Sequence, residues 1–257
     1  MIVTGVDRSA LEGKVKSMYS DVAANPRGEF HFEMGRAMAE RLGYSPDELD
    51  RVPADAIESF AGVGHFFHLA DLKPGESVVD LGSGSGMDSF IAVRKVGSTG
   101  HVTGIDMTDA QLAKAERLAG TYGVLNVTYR KAYIEDTRLD TASCDCVISN
   151  GVINLAPDKA AVFSEAARLV KRGGRLAIAD IVTDIPLPEN VVCNADLWAA
   201  CIGGAAQRES YRRAIESAGF EIVAVEDNPG YHFISERAQK ATAKWGVKSV
   251  SILARRI

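Results

Sequence analysis

The eight residues Val79-Asp-Leu-Gly-Ser-Gly-Ser-Gly86 constrain this chain more than any other stretch. A short apolar run, Ser77 to Leu81, stops at three glycines spaced one residue apart, and Met87 to Val96 then reads as a helix. Glycine has no Cβ, so a ligand can approach the backbone there, and the following helix points its unpaired amides and positive end at that ligand. Strand, glycine turn and helix in this order predict a βαβ unit with a ligand at the carboxyl end of the strand.

The chain after Pro74 repeats that alternation. Further strands are expected near 101–105, 126–130, 145–149, 175–181, 220–225 and 247–254, with helices near 109–121, 159–170 and 210–218. Lys171-Arg-Gly-Gly174, basic and then glycine, reads as a helix C-terminus. The pattern predicts an α/β fold: a doubly wound, mostly parallel, seven-stranded sheet with helices on both faces. Residues 1–70 differ. They are polar-rich and carry no convincing strand, are broken at Asn25, Pro26 and Gly28, and restart at Ser45-Pro46-Asp47-Glu48, a serine cap with proline and acids in the first turn. The expected organisation is a helical N-terminal cap over 1–70 and a ligand-binding domain over 71–257.

Composition narrows the function. A formal net charge of −5 argues against a nucleic-acid binder, which needs a basic face to displace phosphate counterions. No apolar run approaches the ~18–20 residues of a membrane span, and residues 1–20 lack a signal-peptide layout, so the expected location is cytoplasmic. Cys144, Cys146, Cys193 and Cys201 form no CxxC pair, so neither a metal site nor a redox pair is expected. Cys144 and Cys146 lie two apart in an apolar run, which predicts one shared strand face.

The glycine spacing decides between ligands. Dinucleotide sites read GxGxxG, whereas here the loop is GxGxG with Met87 where that third glycine would fall. An acid two residues before the loop, Asp80, and a second acid ending the next strand, Asp106, complete a pattern that resembles class I S-adenosylmethionine (SAM) methyltransferases on a Rossmann-like fold. Asp80 would hold the cationic methionine end and Asp106 the ribose hydroxyls. Within that class the chain resembles the arsenite methyltransferases and their relatives from about Ser59 to Phe220. The shared stretches include Ser59-Phe-Ala-Gly-Val-Gly64, the glycine loop, Gly104-Ile-Asp-Met-Thr108, Tyr133-Ile-Glu135, Ser149-Asn-Gly-Val-Ile-Asn-Leu155 and Leu197-Trp-Ala-Ala-Cys-Ile-Gly-Gly-Ala205. The resemblance implies SAM contacts at Tyr19, Asp80, Gly82, Ser83, Gly84, Asp106, Met107, Ile134, Glu135 and Asn150, with S-adenosylhomocysteine (SAH) as product.

The departure from the family is specific. Arsenite methyltransferases hold arsenic on several cysteines, one directly after the Ser-Asn of the fourth-strand loop and one in the Trp-x-x-Cys segment. This chain keeps the second, Cys201, and has Gly151 in place of the first. Cys193 is no substitute, because eight residues along a continuous helix is about 12 Å. The expected acceptor is therefore a small organic molecule, with arsenite through Cys201 as the alternative. A SAM-binding protein or cyclase without methyl transfer is a reading of another class, as is a nicotinamide dehydrogenase. Candidates for the acceptor wall are Phe32, Phe60, Phe66, Asn154, Trp198 and Tyr231, and candidates for proton transfer or direct catalysis are His31, His65, His232 and Cys201. A monomer or homodimer is expected.

Overall fold

The computed structural model describes residues 8–188, 191 and 203–257, and for Arg237 and Ala238 the backbone only. Its strands are β1 (Ser77–Leu81), β2 (His101–Asp106), β3 (Val127–Lys131), β4 (Cys144–Asn150), β5 (Val170–Thr183), β6 (Ala206–Gln207), β7 (Phe220–Asp227) and β8 (Lys248–Arg256). They form one sheet in the order β3-β2-β1-β4-β5-β8-β7. The first five strands of that order run parallel, and β8 is antiparallel to both β5 and β7. The predicted seven-stranded path is thus present, and β6 adds a two-residue parallel ladder against Val182 and Thr183. Strand order reverses between β1 and β4, and the crevice outside their carboxyl ends is where such sheets bind ligands.

Helices cover both faces. On one lie α6 (Met87–Val96) and α7 (Asp109–Thr121), with the N-terminal helices α1 (Arg8–Ala24), α2 (Arg36–Arg41), α3 (Pro46–Leu49), α4 (Ala54–Glu58) and α5 (Phe67–Ala70), and α10 (Glu236–Trp245). On the other lie α8 (Lys159–Leu169) and α9 (Arg208–Ser217), whose Phe163, Tyr211 and Ile215 are buried against the sheet. Val78 and Val79 of β1 face opposite clusters, as the two-residue period of a doubly covered strand requires. Among the described residues no helix is long and apolar enough to cross a membrane.

Three local expectations fail, the first two because strand pairing overrides a local signal. Lys171 to Gly174 does not end a helix: α8 stops at Leu169, and these residues belong to β5, whose Val170 already pairs Cys144. Cys144 and Cys146 do not share a face, because the register shifts between them and puts Cys144 in one core and Cys146 in the other. Ser45 begins α3 in an extended conformation with Pro46 behind it, yet its side chain makes no capping bond.

Two tethers join the N-terminal segment to α7. Gln111 on α7 donates from Nε2 to the Tyr19 carbonyl at 2.9 Å, and Lys114 donates from Nζ to Ser59 Oγ at 2.7 Å and the Ala23 carbonyl at 3.2 Å. The loop after α4 is laid across the strand ends. Val63 N–H donates to Asn150 Oδ1 at 2.7 Å, while Ser249 and Ser251 of β8 donate to the Val63 and His65 carbonyls at 2.6 and 2.9 Å.

Candidate functional site

A cavity of about 460 Å³ opens at the carboxyl ends of β1, β2 and β4. Its floor is the glycine loop. Gly82, Gly84 and Gly86 all have positive φ, conformations that side chains resist, and a Cβ on Gly82 would lie 2.6 Å from the neighbouring Val152. Asp106 fixes the loop from beside it, accepting the Gly84 N–H at 3.0 Å and the Thr108 N–H at 2.8 Å. Ser85 Oγ donates to Gln111 Oε1, so one side chain ties the loop to α1.

The roof is α1. Leu11, Val15 and Tyr19, spaced four apart, put one helix face over the cavity. The near end of α1 is fastened to the rim, where Tyr133 OH donates to Glu12 Oε1 at 2.6 Å and Lys16 sits 5.1 Å from the Tyr133 ring centroid. The remaining walls come from Phe60 to Gly62, Met107, Ala132 to Asp136, and Asn150 to Val152 with Leu155 to Asp158.

Acids dominate the electrostatics. Asp80, the penultimate residue of β1, is almost fully buried and accepts from Ser89 Oγ at 2.6 Å. Asp88, also buried, accepts from Tyr44 OH at 2.6 Å and from Asn150 Nδ2 at 2.9 Å. Burial raises both carboxyls, and each is neighboured by the other. Glu135 is raised by burial as well. Ser83 Oγ, buried in the loop, has no hydrogen-bond partner. A site with buried acids, an unpaired hydroxyl and open glycine backbone suits a ligand carrying both cationic and polar groups.

Every residue that the sequence suggested for SAM lines this cavity: Tyr19, Asp80, Gly82, Ser83, Gly84, Asp106, Met107, Ile134, Glu135 and Asn150. The Asn150 amide is already committed, since it bonds Val63, Gly64 and Asp88. The acceptor candidates scatter. Phe60 lines the wall, whereas Phe66 and Asn154 are fully buried outside it, and Tyr231 packs edge-on against Phe233 at 5.0 Å. Phe32 stacks on Tyr19 at 6.2 Å behind the cavity, with His31 edge-on to it at 4.8 Å. No described histidine lines the cavity. His65 is stacked on His68 at 5.3 Å and packed on Tyr44, with its pKa lowered to about 4 by burial, and His232 is exposed. Trp198, Cys193 and Cys201 lie outside the described residues.

Sequence reasoning missed Asp88, Gln111, Tyr44 and the Leu11–Val15 face. The last left a signal, apolar residues four apart ending at Tyr19. Asp88 carries only the local signal of a first-turn acid of α6.

Comparison with known proteins agrees with the geometry. Residues 72–219 match the family model described as a methyltransferase domain. An arsenite methyltransferase of Halobacterium salinarum is 39% identical over 187 residues, covering 73% of this chain and 48% of the relative. An aklanonic acid methyltransferase of a Streptomyces species (strain C5) is 29% identical over 148 residues, covering 57% of this chain and 66% of that one. The crystal structure of an arsenic(III) S-adenosylmethionine methyltransferase from Chlamydomonas reinhardtii superposes with a TM-score of 0.65 at 31% identity, covering 87% of this chain and 74% of that one. The chain spans about half the length of the arsenite methyltransferases it matches. With the family model over more than half its length, the chain belongs to the methyltransferase-domain family and is similar to its arsenite methyltransferase members.

Proposed function

We propose that the cavity binds SAM and that the protein transfers its methyl group to a small organic acceptor. The observation that carries the reading is the glycine loop at the β1–β4 switch point, flanked by Asp80 and braced by Asp106. SAM supplies an electrophilic methyl on a sulfonium: the acceptor's electron pair forms the new bond, and the carbon–sulfur pair stays on sulfur to give SAH. The protein's own part is to orient the partners and exclude water, which α1 does as a roof. Asp80 and Asp88 face the methionine end, Asp106 the ribose, and Ile134 and Glu135 the adenine. No base need be assigned among His31, His65 and His232, which lie outside the described cavity wall.

The organic acceptor is favoured by Gly151. This residue stands where the arsenite enzymes carry a cysteine, has φ +70°, and would place a Cβ 3.1 Å from Val63. A thiol there is strained by about 1–2 kcal/mol from backbone handedness before any crowding. Gly151→Cys is therefore expected to lower the melting temperature by about 2–8 °C and to bring no arsenite methylation. Arsenic turnover gained at unchanged stability would instead favour the arsenite reading that the relatives' names suggest.

Calorimetric titration with SAM and SAH, repeated with arsenite and glutathione, tests the reading directly. Binding of both ligands, with arsenite neither bound nor turned over, supports it; arsenite turnover removes the organic acceptor. SAM binding with no SAH formed on any acceptor would point to a binding protein or cyclase. Asp106→Ala is expected to weaken SAM by about 1–3 kcal/mol, the scale of lost hydrogen bonds to a charged group. Unchanged affinity would move the ribose elsewhere.

A further inference from the structure

Three carboxylates converge on the glycine loop, and no positive side chain among the described residues balances them. Asp80 is 2% exposed and Asp88 6%, and Asp106 is half-buried. Their partners are neutral donors: the Ser89 hydroxyl for Asp80, the Tyr44 phenol and Asn150 amide for Asp88, and the Gly84 and Thr108 amides for Asp106. The groups that face them are Tyr44 from the turn before α3, Ser89 from α6, Tyr129 from β3 and Asn150 from β4, none of them a cation. Among the described residues no lysine, arginine or histidine pairs with any of the three. Burying charge without a counter-charge is costly, and groups so placed hold protons instead.

Resting on the reading of the cavity as a SAM site, we propose that the cofactor's positive charge completes this carboxylate group. SAM then binds with release of a proton from the Asp80–Asp88 pair to solvent. SAH, which has lost the sulfonium charge, releases less.

The direction of the effect follows from the pair's titration. Burial, with Asp88 beside it, pushes Asp80 up to about 8, and burial pushes Asp88 up to about 6 against the pull of Tyr44 and Asn150. Near neutral pH the empty pair therefore keeps a proton, which a cation brought against it displaces. Affinity for SAM rises as pH climbs through this range, by at most about tenfold per pH unit for each proton released. Affinity for SAH rises less, so the SAM-to-SAH affinity ratio grows with pH. Methyl transfer itself removes the charge that the pair was holding, which favours departure of the product.

The test is calorimetry of the full chain with SAM and with SAH at about pH 5.5, 7 and 8.5. Near pH 7 each titration is run in phosphate and in imidazole, both of which buffer there and whose different ionisation enthalpies report proton release. The expected result is greater release with SAM than with SAH near pH 7, and an affinity ratio rising at least about fivefold across the range. The ligands' own α-amino groups titrate near about 7.7–8.0, so Asp88→Asn, which removes one titrating group, isolates the pair's share and should cut the release. Tyr44→Phe, which takes a hydrogen bond from Asp88 and raises it further, should increase the release, and it serves if the first variant does not fold. Equal release for both ligands with a flat ratio, or a release that neither variant moves, overturns the inference while leaving the SAM site intact. Failure of either ligand to bind at any pH overturns the reading of the cavity, and this inference with it.

Discussion

In a Gly82→Ala variant, SAM affinity is expected to fall at least about 30-fold, the equivalent of roughly 2 kcal/mol. Two costs combine. Gly82 sits at φ +74°, where an L-residue pays about 1–2 kcal/mol. Its new methyl would also press on Val152, whose Cβ and both Cγ atoms would lie only 2.6–2.7 Å from it, and overpacking of this kind costs about 1–3 kcal/mol. The strain falls on two touching segments that both line the cavity, so binding suffers more than global folding. Adding Val152→Ala separates the two parts: it should restore the packing share and leave the backbone share. Calorimetry on the single and double variants reads both. Full recovery in the double variant would mean that backbone handedness at Gly82 costs nothing.

The second large effect is expected at a residue that touches no ligand. Lys159, at the start of α8 and buried, donates from Nζ to the carbonyls of Asn154 at 3.2 Å and Ala156 at 3.0 Å. It thereby holds the turn that carries Leu155 to Asp158 into the cavity wall. Burial lowers its pKa to about 8, against the opposing pull of Asp180, Glu135 and Asp158. Asp180 is pushed up to about 6 by burial, with relief from Tyr211, whose hydroxyl donates to it at 2.6 Å. Lys159→Met keeps the volume and removes the charge. Hydrogen bonds from a charged donor are worth about 1.5–3 kcal/mol each, so losing the two to Asn154 and Ala156 costs about 3 kcal/mol at the lower end. A melting temperature lower by about 6–12 °C is expected. The loss should be larger at pH 7 than at pH 5. A carboxyl whose folded pKa is raised gives stability present at low pH and lost as pH rises through that pKa. Melting curves at the two pH values, unchanged from the parent, would show that Lys159 does not hold this wall.

Much of the fold was legible because its signals are local. The apolar run ending at Asp80 and Leu81, the three glycines and the helix from Met87 sit within twenty residues, and β1 and α6 have the expected bounds. The acids at the carboxyl ends of β1 and β2, Asp80 next to last and Asp106 last, were legible for the same reason, since a strand's end fixes where a side chain emerges. What was not legible depends on partners distant in sequence. Asp88 counts because Tyr44 and Asn150, 44 and 62 residues away, bond to it. Lys171 to Gly174 read as a helix end on local chemistry, whereas they lie within β5 at a register shift, between Val170 and Arg175, which pair with Cys144 and Cys146 of β4. β6, two residues long, carries no period to detect. The histidines were suggested by residue type, which says nothing of direction: His65 turns its ring toward Tyr44 and His68.

The serines of β8 that clasp the Val63 and His65 carbonyls reach back 186 residues. One wall of the cavity is therefore held by a strand that leaves the ribosome long after the glycine loop has done so. During synthesis β1, α6 and β2 can assemble while the stretch from Phe60 to His65 still lacks its fastening, and closure waits on a contact of very long sequence separation, which is slow to form. A nascent chain would thus present an open, acid-lined crevice. Ligand capture becomes a late event in biogenesis, tied to arrival of the penultimate strand of the sheet order.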